Sequence, residues 1–405
     1  MTMAEESIFS GLKVVDMASF IAGPGAATIL GEFGADVIKV EPPGPGDPYR
    51  KLHGVPPHPQ AGLDYAWQVT NRNKRGLALN LKSKRAGEVV RRLAEWADVF
   101  VTNYPPPVRK RLKVTYEDIA PYNARLIYAD VSGYGEHGPD ADAPGFDVTA
   151  YWARSGLLSM LRDAGAPAPL APSGSGDHAT AVGLYASIVT ALYRRQRTGR
   201  GGHVSTSLIA QGTWSMAVYV QAALCGATFY PPHDRSSPSS AFINTYQTSD
   251  ASWIMLVARD AVWPDLTAAI GQPTLLDDPR FADPARRAAH AAELAAILDR
   301  AFRSAPLAHW SERLGQARIT FGIVATPQQV IEDPALLENG VIVPIEGGCE
   351  RLTRTVSSPV NVHGAEKVVA RRAPDLGEHD EEVLGQLGFS REEIEGLRSA
   401  GTIQH

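Results

Sequence analysis

Short apolar runs and stretches with helical spacing alternate through the first half of the chain. Leu12-Lys-Val-Val-Asp-Met17 is a β-branched run that reads as a buried strand. Ile21 to Gly34 carries small and apolar residues at helical spacing, and Ala35 to Glu41 is a second strand, ended by Pro42 and Pro43. Strand, glycine-started helix, strand is a βαβ unit, which predicts a parallel sheet with a right-handed crossover. A strand at Gly76–Lys82, a helix from about Lys84 to Trp96 and a strand at Asp98–Thr102 continue the alternation. Asn103 to Arg111, with three prolines, reads as a loop, Tyr116–Tyr122 as helical and Leu126–Val131 as another strand. The pattern predicts a doubly wound α/β domain.

A loop from Gly133 to Asp147 opens a helix reaching about Ser155. A long apolar helix follows Ala171-Pro-Ser-Gly-Ser-Gly-Asp177, then a strand at His203–Thr206 and a helix over Ser207–Cys225. From Gly226 prolines and serines give a linker-like segment, Asn244–Asp250 and Trp253–Val257 read as a hairpin, and Asp260–Arg313 as broken, alanine-rich helix. The expectation is a large domain from residues 1–225 and 331–405, with a smaller α+β domain at 226–330. The latter's Tyr246 and Trp253 are expected to shape a substrate pocket.

Asp177 is expected at the N-cap of its helix, with Gly174 and Gly176 leaving the backbone open on one side. One reading is a plain cap. The other is a carboxylate kept ionised by the helix N-terminus and open to a reacting group. Basic residues recur at strand ends: Arg72, Lys74, Arg75, Lys82, Arg109, Lys110 and Arg111. In an open α/β sheet such loops frame the ligand crevice, so an anionic ligand such as a nucleotide diphosphate is expected there.

Composition narrows the classes. A net charge of −5 over 405 residues gives no reason to expect nucleic acid. No apolar run approaches the roughly 20 residues of a membrane span, and Met1–Phe9 does not read as a secretory signal. Cys225 and Cys349, the only cysteines, make neither a metal site nor a disulfide framework and suit a reducing cytosol. The expectation is a cytoplasmic protein with no metal. A GxGxxG fingerprint is missing, so a nicotinamide dehydrogenase is poorly supported.

Taken together, Gly11-Leu-Lys-Val-Val-Asp16, Ala22-Gly-Pro24, Leu30-Gly-Glu-Phe-Gly-Ala-Asp-Val-Ile-Lys-Val-Glu41, Asn73-Lys-Arg75, Leu79-Asn-Leu-Lys82, Asp98-Val-Phe-Val-Thr-Asn-Tyr104, Gly176-Asp177, Thr198-Gly-Arg-Gly-Gly202 and Leu376-Gly-Glu-His-Asp380 resemble the family III coenzyme A transferases, the CaiB–BaiF group. The resemblance runs from about Gly11 to Ile403. It implies a Rossmann-like large domain, a small domain between its halves, and an interlocked, ring-like homodimer. It implies that acyl-CoA and a small carboxylic acid are the substrates, with no tightly bound cofactor, and that Asp177 is catalytic. The positions it gives to CoA are Ile21, Ala22, Leu79, Asn80, Lys82, Asn103, Tyr104, Pro105, Arg111, Gly145, Phe146 and Asp147. Pro42 departs from the arginine that relatives often carry, and Ser236–Ile243 lacks the glycine-rich loop of oxalate-using members, which disfavours formyl-CoA:oxalate transfer.

CoA exchange between acids calls for a carboxylate nucleophile, since it passes through acyl anhydrides. The helix end is expected to keep Asp177 ionised, nearby glycine N–H groups to hold developing oxyanions, and His178 to be structural. A rival within the same fold is a 2-methylacyl-CoA racemase. Its Gly-His-Asp triplet is here Gly145-Phe146-Asp147, so one base is absent, and His137 lies elsewhere in its loop. A second rival is a non-catalytic CoA-binding protein.

Overall fold

The computed structural model describes residues 7–404. The chain divides into two compact units: residues through Leu157, Ala171–Gln221 and Leu337 onward form the first, and Leu158–Leu170 with Ala222–Leu336 the second.

In the first unit β1 (Lys13–Met17), α1 (Ala22–Glu32) and β2 (Asp36–Glu41) form the βαβ start. α2 (Tyr65–Asn71), β3 (Arg75–Ala78), α3 (Ala86–Trp96) and β4 (Val99–Thr102) follow. Next come α4 (Pro106–Leu112), α5 (Tyr116–Ile119) and β5 (Ile127–Ser132), then, after α6 (Leu157–Leu161), which falls almost wholly in the second unit, α7 (Ser175–Thr198) and β6 (Gly202–Ser207). The six strands pair in parallel in the order β3-β2-β1-β4-β5-β6, the dinucleotide-fold order, so the chain reverses direction across the sheet between β1 and β4. Ligands of such sheets bind beyond the carboxyl ends of the strands at that reversal. Asn103, just past β4, donates to Ser19 O at 2.7 Å and accepts from Ser19 N at 2.8 Å, tying the two loops at the reversal together.

Two corrections concern helices. The proline-rich stretch after β4 is α4 and not a loop, because Pro106 and Pro107 sit in its first turn, where backbone N–H groups have no intrahelical acceptor to lose. The segment opening at Asp147 is a π-helical turn, Asp147–Ala153, and the helix expected over 207–225 breaks at Met216 into α8 (Leu208–Ser215) and α9 (Ala217–Leu224).

α7 is held by an apolar stripe. Ala181, Leu184 and Ile188 are buried; Leu184 and Ile188 join Val14, Ala26, Leu30, Val101 and Ile127 on one face of the sheet. The small residues of α1 let α7 approach closely: a Cβ on Gly25 would lie 2.9 Å from the Ala181 methyl. Because α7 runs from β5 back to β6, its N-terminus stands at the carboxyl edge of the sheet. The other face packs on α3 and the C-terminal helices Asp380–Gln386 and Arg391–Ser399.

The second unit holds an antiparallel sheet of β7 (Ile243–Gln247), β8 (Trp253–Val257) and β9 (Phe321–Ile323) against helices. Tyr246, expected to line a pocket, is instead fully buried, stacked on Phe302 with its hydroxyl donating to Ala241 O at 2.6 Å. The chain returns to the first unit through a small sheet of β10 (Ile342–Glu346), β11 (Arg354–Val356) and β12 (Ala370–Arg371). No helix among the described residues is long and apolar enough to cross a membrane.

Candidate functional site

α7 begins one turn earlier than its charge pattern suggests. Its N-cap is Gly174, at φ 85°, and Asp177 is the third helical residue. Ser175 cannot cap, because its hydroxyl turns back to Pro172 O at 2.7 Å. The cap comes from far along the chain. Asp147 is buried, and its Oδ2 accepts from Gly174 N at 2.6 Å, while its Oδ1 is packed against Gly176 with no hydrogen-bond partner.

That arrangement leaves the Asp177 carboxyl without a protein hydrogen bond or ion pair among the described residues, in a half-buried position. Burial, and then the negative charge of Asp147, push its pKa up to about 7. The expectation that the helix end keeps Asp177 ionised is therefore corrected: burial and the neighbouring Asp147 charge outweigh the helix end. Of the glycine N–H groups expected to hold oxyanions, that of Gly174 is taken by Asp147.

The surroundings of Asp177 come from three loops. Ile21, after β1, reaches Gly174, where a Cβ would lie 2.6 Å from the Ile21 Cδ1. Tyr49 lies in a 3₁₀ turn, Pro48–Gly54, capped by Asp47, whose carboxylate also accepts from Phe20 N at 3.3 Å. Burial, then the charge of Asp177, push the Tyr49 hydroxyl above the ordinary tyrosine value, so it stays protonated. Phe20 meets Tyr49 edge-to-face at 6.4 Å and Phe146 at 6.5 Å, and both Phe20 and Phe146 are exposed. An aromatic rim thus adjoins the opening of α7.

His178 lies away from this side of the helix. It lines a cavity of about 470 Å³ with Thr28, Ile29, Thr70 and Arg72, and desolvation, then the Arg72 charge, lower its pKa.

The positions assigned to CoA gather at the carboxyl ends of four strands, but not all present side chains. Ile21, Ala22 and Leu79 are buried, and Asp147 is turned onto α7. Lys82, Pro105 and Arg111 are exposed. Asn80 is fixed by the C-terminal residues, its N–H bonding Thr402 O at 2.8 Å. A cavity of about 360 Å³ beside this turn is lined by Lys84, Arg111 and Lys113.

Four of the basic residues expected to face an anion do not. Arg72 pairs with Glu32, Lys74 with Asp16, Arg75 with Asp36 and Glu382, and Arg109 with Asp130. Asp130, Glu136 and His203 are close enough together to share an ion, yet the Arg109 guanidinium already stands 3.1 Å from Asp130. A further cavity of about 760 Å³ is lined by Arg75, Glu346, Arg372, Glu378 and His379, outside this site.

Gly176 makes the geometry testable. A Cβ there would fall within the Asp147 carboxylate and the Tyr151 ring, so Gly176→Ala must push the cap away from the helix. Equilibrium unfolding of that variant is expected to show a loss of about 1–3 kcal/mol, the scale of an overpacked buried site.

Comparison with known proteins agrees with the geometry. The model of CoA-transferase family III matches residues 9–380. The (R)-2-hydroxy-4-methylpentanoate CoA-transferase of Clostridioides difficile is 30% identical over 401 residues, covering 98% of this chain and 100% of that protein. The cinnamoyl-CoA:phenyllactate CoA-transferase of Clostridium sporogenes is 30% identical over 400 residues, 96% of each. The crystal structure of a CAIB/BAIF family protein from Brucella suis superposes with a TM-score of 0.84 at 26% identity, covering 95% of this chain and 100% of that one. With a parallel sheet that brings an unpaired carboxyl to its carboxyl edge and a family match over most of its length, the chain belongs to CoA-transferase family III and is a CoA-transferase.

Proposed function

We propose that Asp177 is the nucleophile that carries CoA from an acyl-CoA thioester to a carboxylic acid. The observation behind this reading is the state of its carboxyl: half-buried, unpaired, and relieved of capping by Asp147. A purely structural aspartate at a helix start would be engaged with backbone N–H groups.

The steps follow from that carboxylate. One Asp177 oxygen attacks the donor thioester carbonyl, the C–S bond breaks, and an aspartyl–acyl anhydride forms with release of CoA thiolate. The thiolate attacks the aspartyl carbonyl, freeing the donor acid and leaving an aspartyl-CoA thioester. The acceptor carboxylate attacks that thioester, and the released thiolate then takes the acceptor acyl group, restoring Asp177. Each step exchanges one activated acyl bond for another, so the thioester's energy is conserved. Tyr49, kept protonated beside Asp177, is the donor available to the developing oxyanions.

In this reading CoA lies across the reversal between β1 and β4, against Ile21, Ala22, Leu79, Asn80, Lys82, Asn103, Tyr104, Pro105 and Arg111. Phe146, beside the acyl end, stands where a racemase would need a histidine. The Phe20–Phe146 rim suits an acceptor with an apolar or aromatic body, as the names of both quoted relatives describe. A homodimer belongs to the same reading: α9 has no buried residue, and Trp214, Val218 and Leu224 are exposed.

The test is incubation with a panel of acyl-CoA donors and carboxylic acids, with and without hydroxylamine, read by mass. Exchange to apolar 2-hydroxy or aryl acids and a hydroxamate on the Asp177 peptide are expected. Turnover with no trapped hydroxamate would overturn the covalent route, and preference for oxalate would overturn the acceptor class.

A further inference from the structure

We propose that Asp147 is the positioning residue of the reaction: by taking the Gly174 N–H at the opening of α7, it fixes the Gly174–Asp177 turn and sets a second carboxylate beside the nucleophile. This rests on Asp177 being that nucleophile.

Helices are usually capped by a neighbouring side chain, and the opening N–H groups need an acceptor from somewhere. Gly174 has no side chain, and Ser175 is turned to Pro172. The acceptor is a carboxylate 27 residues earlier in the chain, in the π-helical turn. Tyr151, one turn further along that segment, packs on Gly176 and bonds Ser215 Oγ at 2.8 Å, so the capping segment is itself anchored to α8. An acidic residue is thereby held in a buried place where a neutral asparagine would cap as well. The charge is what distinguishes it.

Two effects then act on Asp177 in one direction. The partial positive charge of the helix end is partly offset by the Asp147 carboxylate held at Gly174. A second carboxylate close by disfavours another negative charge. The titratable groups facing Asp177 are Asp147 from the π-helical turn and Tyr49 from the 3₁₀ turn, and Tyr49 is neutral. Asp177 therefore remains basic enough to attack a thioester well, and carries a proton in a good part of the resting enzyme near neutral pH.

Asp147→Asn separates capping from charge, because its amide oxygen still accepts from Gly174 N. In the unaltered enzyme kcat/KM is expected to fall about 10-fold from pH 8 to pH 6, as Asp177 takes up its proton. In Asp147→Asn the acid limb moves to lower pH, and that fall shrinks to about threefold or less. Asp147→Glu keeps the charge while displacing the carboxylate, so it lowers kcat and leaves the limb in place. An acid limb unmoved in Asp147→Asn, or moved in Asp147→Glu, would overturn the proposal. Infrared difference titration of the Asp177 carboxyl, with Asp177→Asn as the blank, reads the same shift without turnover. It thus separates failure of this inference from failure of Asp177 as nucleophile.

Discussion

Asp177→Asn is expected to lower kcat for CoA transfer by at least about 10³-fold, a loss of about 4 kcal/mol of transition-state stabilisation. The amide is the same shape and leaves the Gly174 turn, the Asp147 cap and the Phe20–Phe146 rim as they are. It removes only the anionic oxygen from which the anhydride is built. No other carboxyl can take over. Asp147 is buried and bonded to Gly174 N, and Asp47 is committed to Lys39, Phe20 N and Tyr49 N. Acyl-CoA affinity, measured by calorimetry on the inactive variant, is expected to change by less than about threefold, because uniform binding contacts are untouched. The hydroxamate trapped on the unaltered enzyme must vanish. A variant that keeps a tenth of the activity would remove Asp177 from the mechanism.

The sheet was largely legible because parallel strands buried on both faces leave near-continuous apolar runs, as in Val99-Phe-Val-Thr102 and Ile127-Tyr-Ala-Asp-Val131. Their spatial order was not, since it depends on which crossover goes to which side. α4 was hidden because three consecutive prolines read as a breaker, although the same residues suit a helix start. Asp177 stood out from its glycines. Its true neighbour Asp147 did not, because a cap supplied from 27 residues away leaves no local spacing. The basic residues misled for a related reason: a sequence shows a charge but not the partner that consumes it. One signal was present. Asp16 and Lys39 each interrupt an otherwise apolar strand, and a charge in such a strand implies a buried counter-charge.

Removing that counter-charge gives the largest expected effect on stability: Asp16→Ala should cost about 3–5 kcal/mol. Asp16 and Lys39 are register partners on β1 and β2, so their side chains share a face of the sheet. Asp16 Oδ2 accepts from Lys74 Nζ at 2.7 Å, and Oδ1 lies 3.9 Å from Lys39 Nζ, with every member inaccessible to solvent. Lys39 is also bonded to Ala18 O and to Asp47 Oδ2 at 3.1 Å, and Lys74 to Pro24 O at 2.8 Å and Thr70 O at 2.6 Å. Without Asp16, Lys39 keeps only the Asp47 carboxylate and Lys74 has none, in a place water does not reach. The damage extends to the site, because Asp47 is the group that holds Phe20 and Tyr49. Equilibrium urea unfolding should show the loss, and Asp36→Ala is its control: that aspartate pairs with Arg75 at 2.7 Å but is partly exposed, so its removal should cost no more than about 1 kcal/mol. The pH dependence gives a second check. Burial lowers the Lys74 pKa to about 8, and losing Asp16 lowers it further. Between those two values the unaltered fold holds a proton that the variant does not, so the stability gap shrinks as pH rises and is smallest above about 8. A gap that widens with pH, or an Asp16 variant no weaker than the Asp36 control, would mean the buried charges are not the ionised network that ties β1 and β2 to the loop beside Asp177.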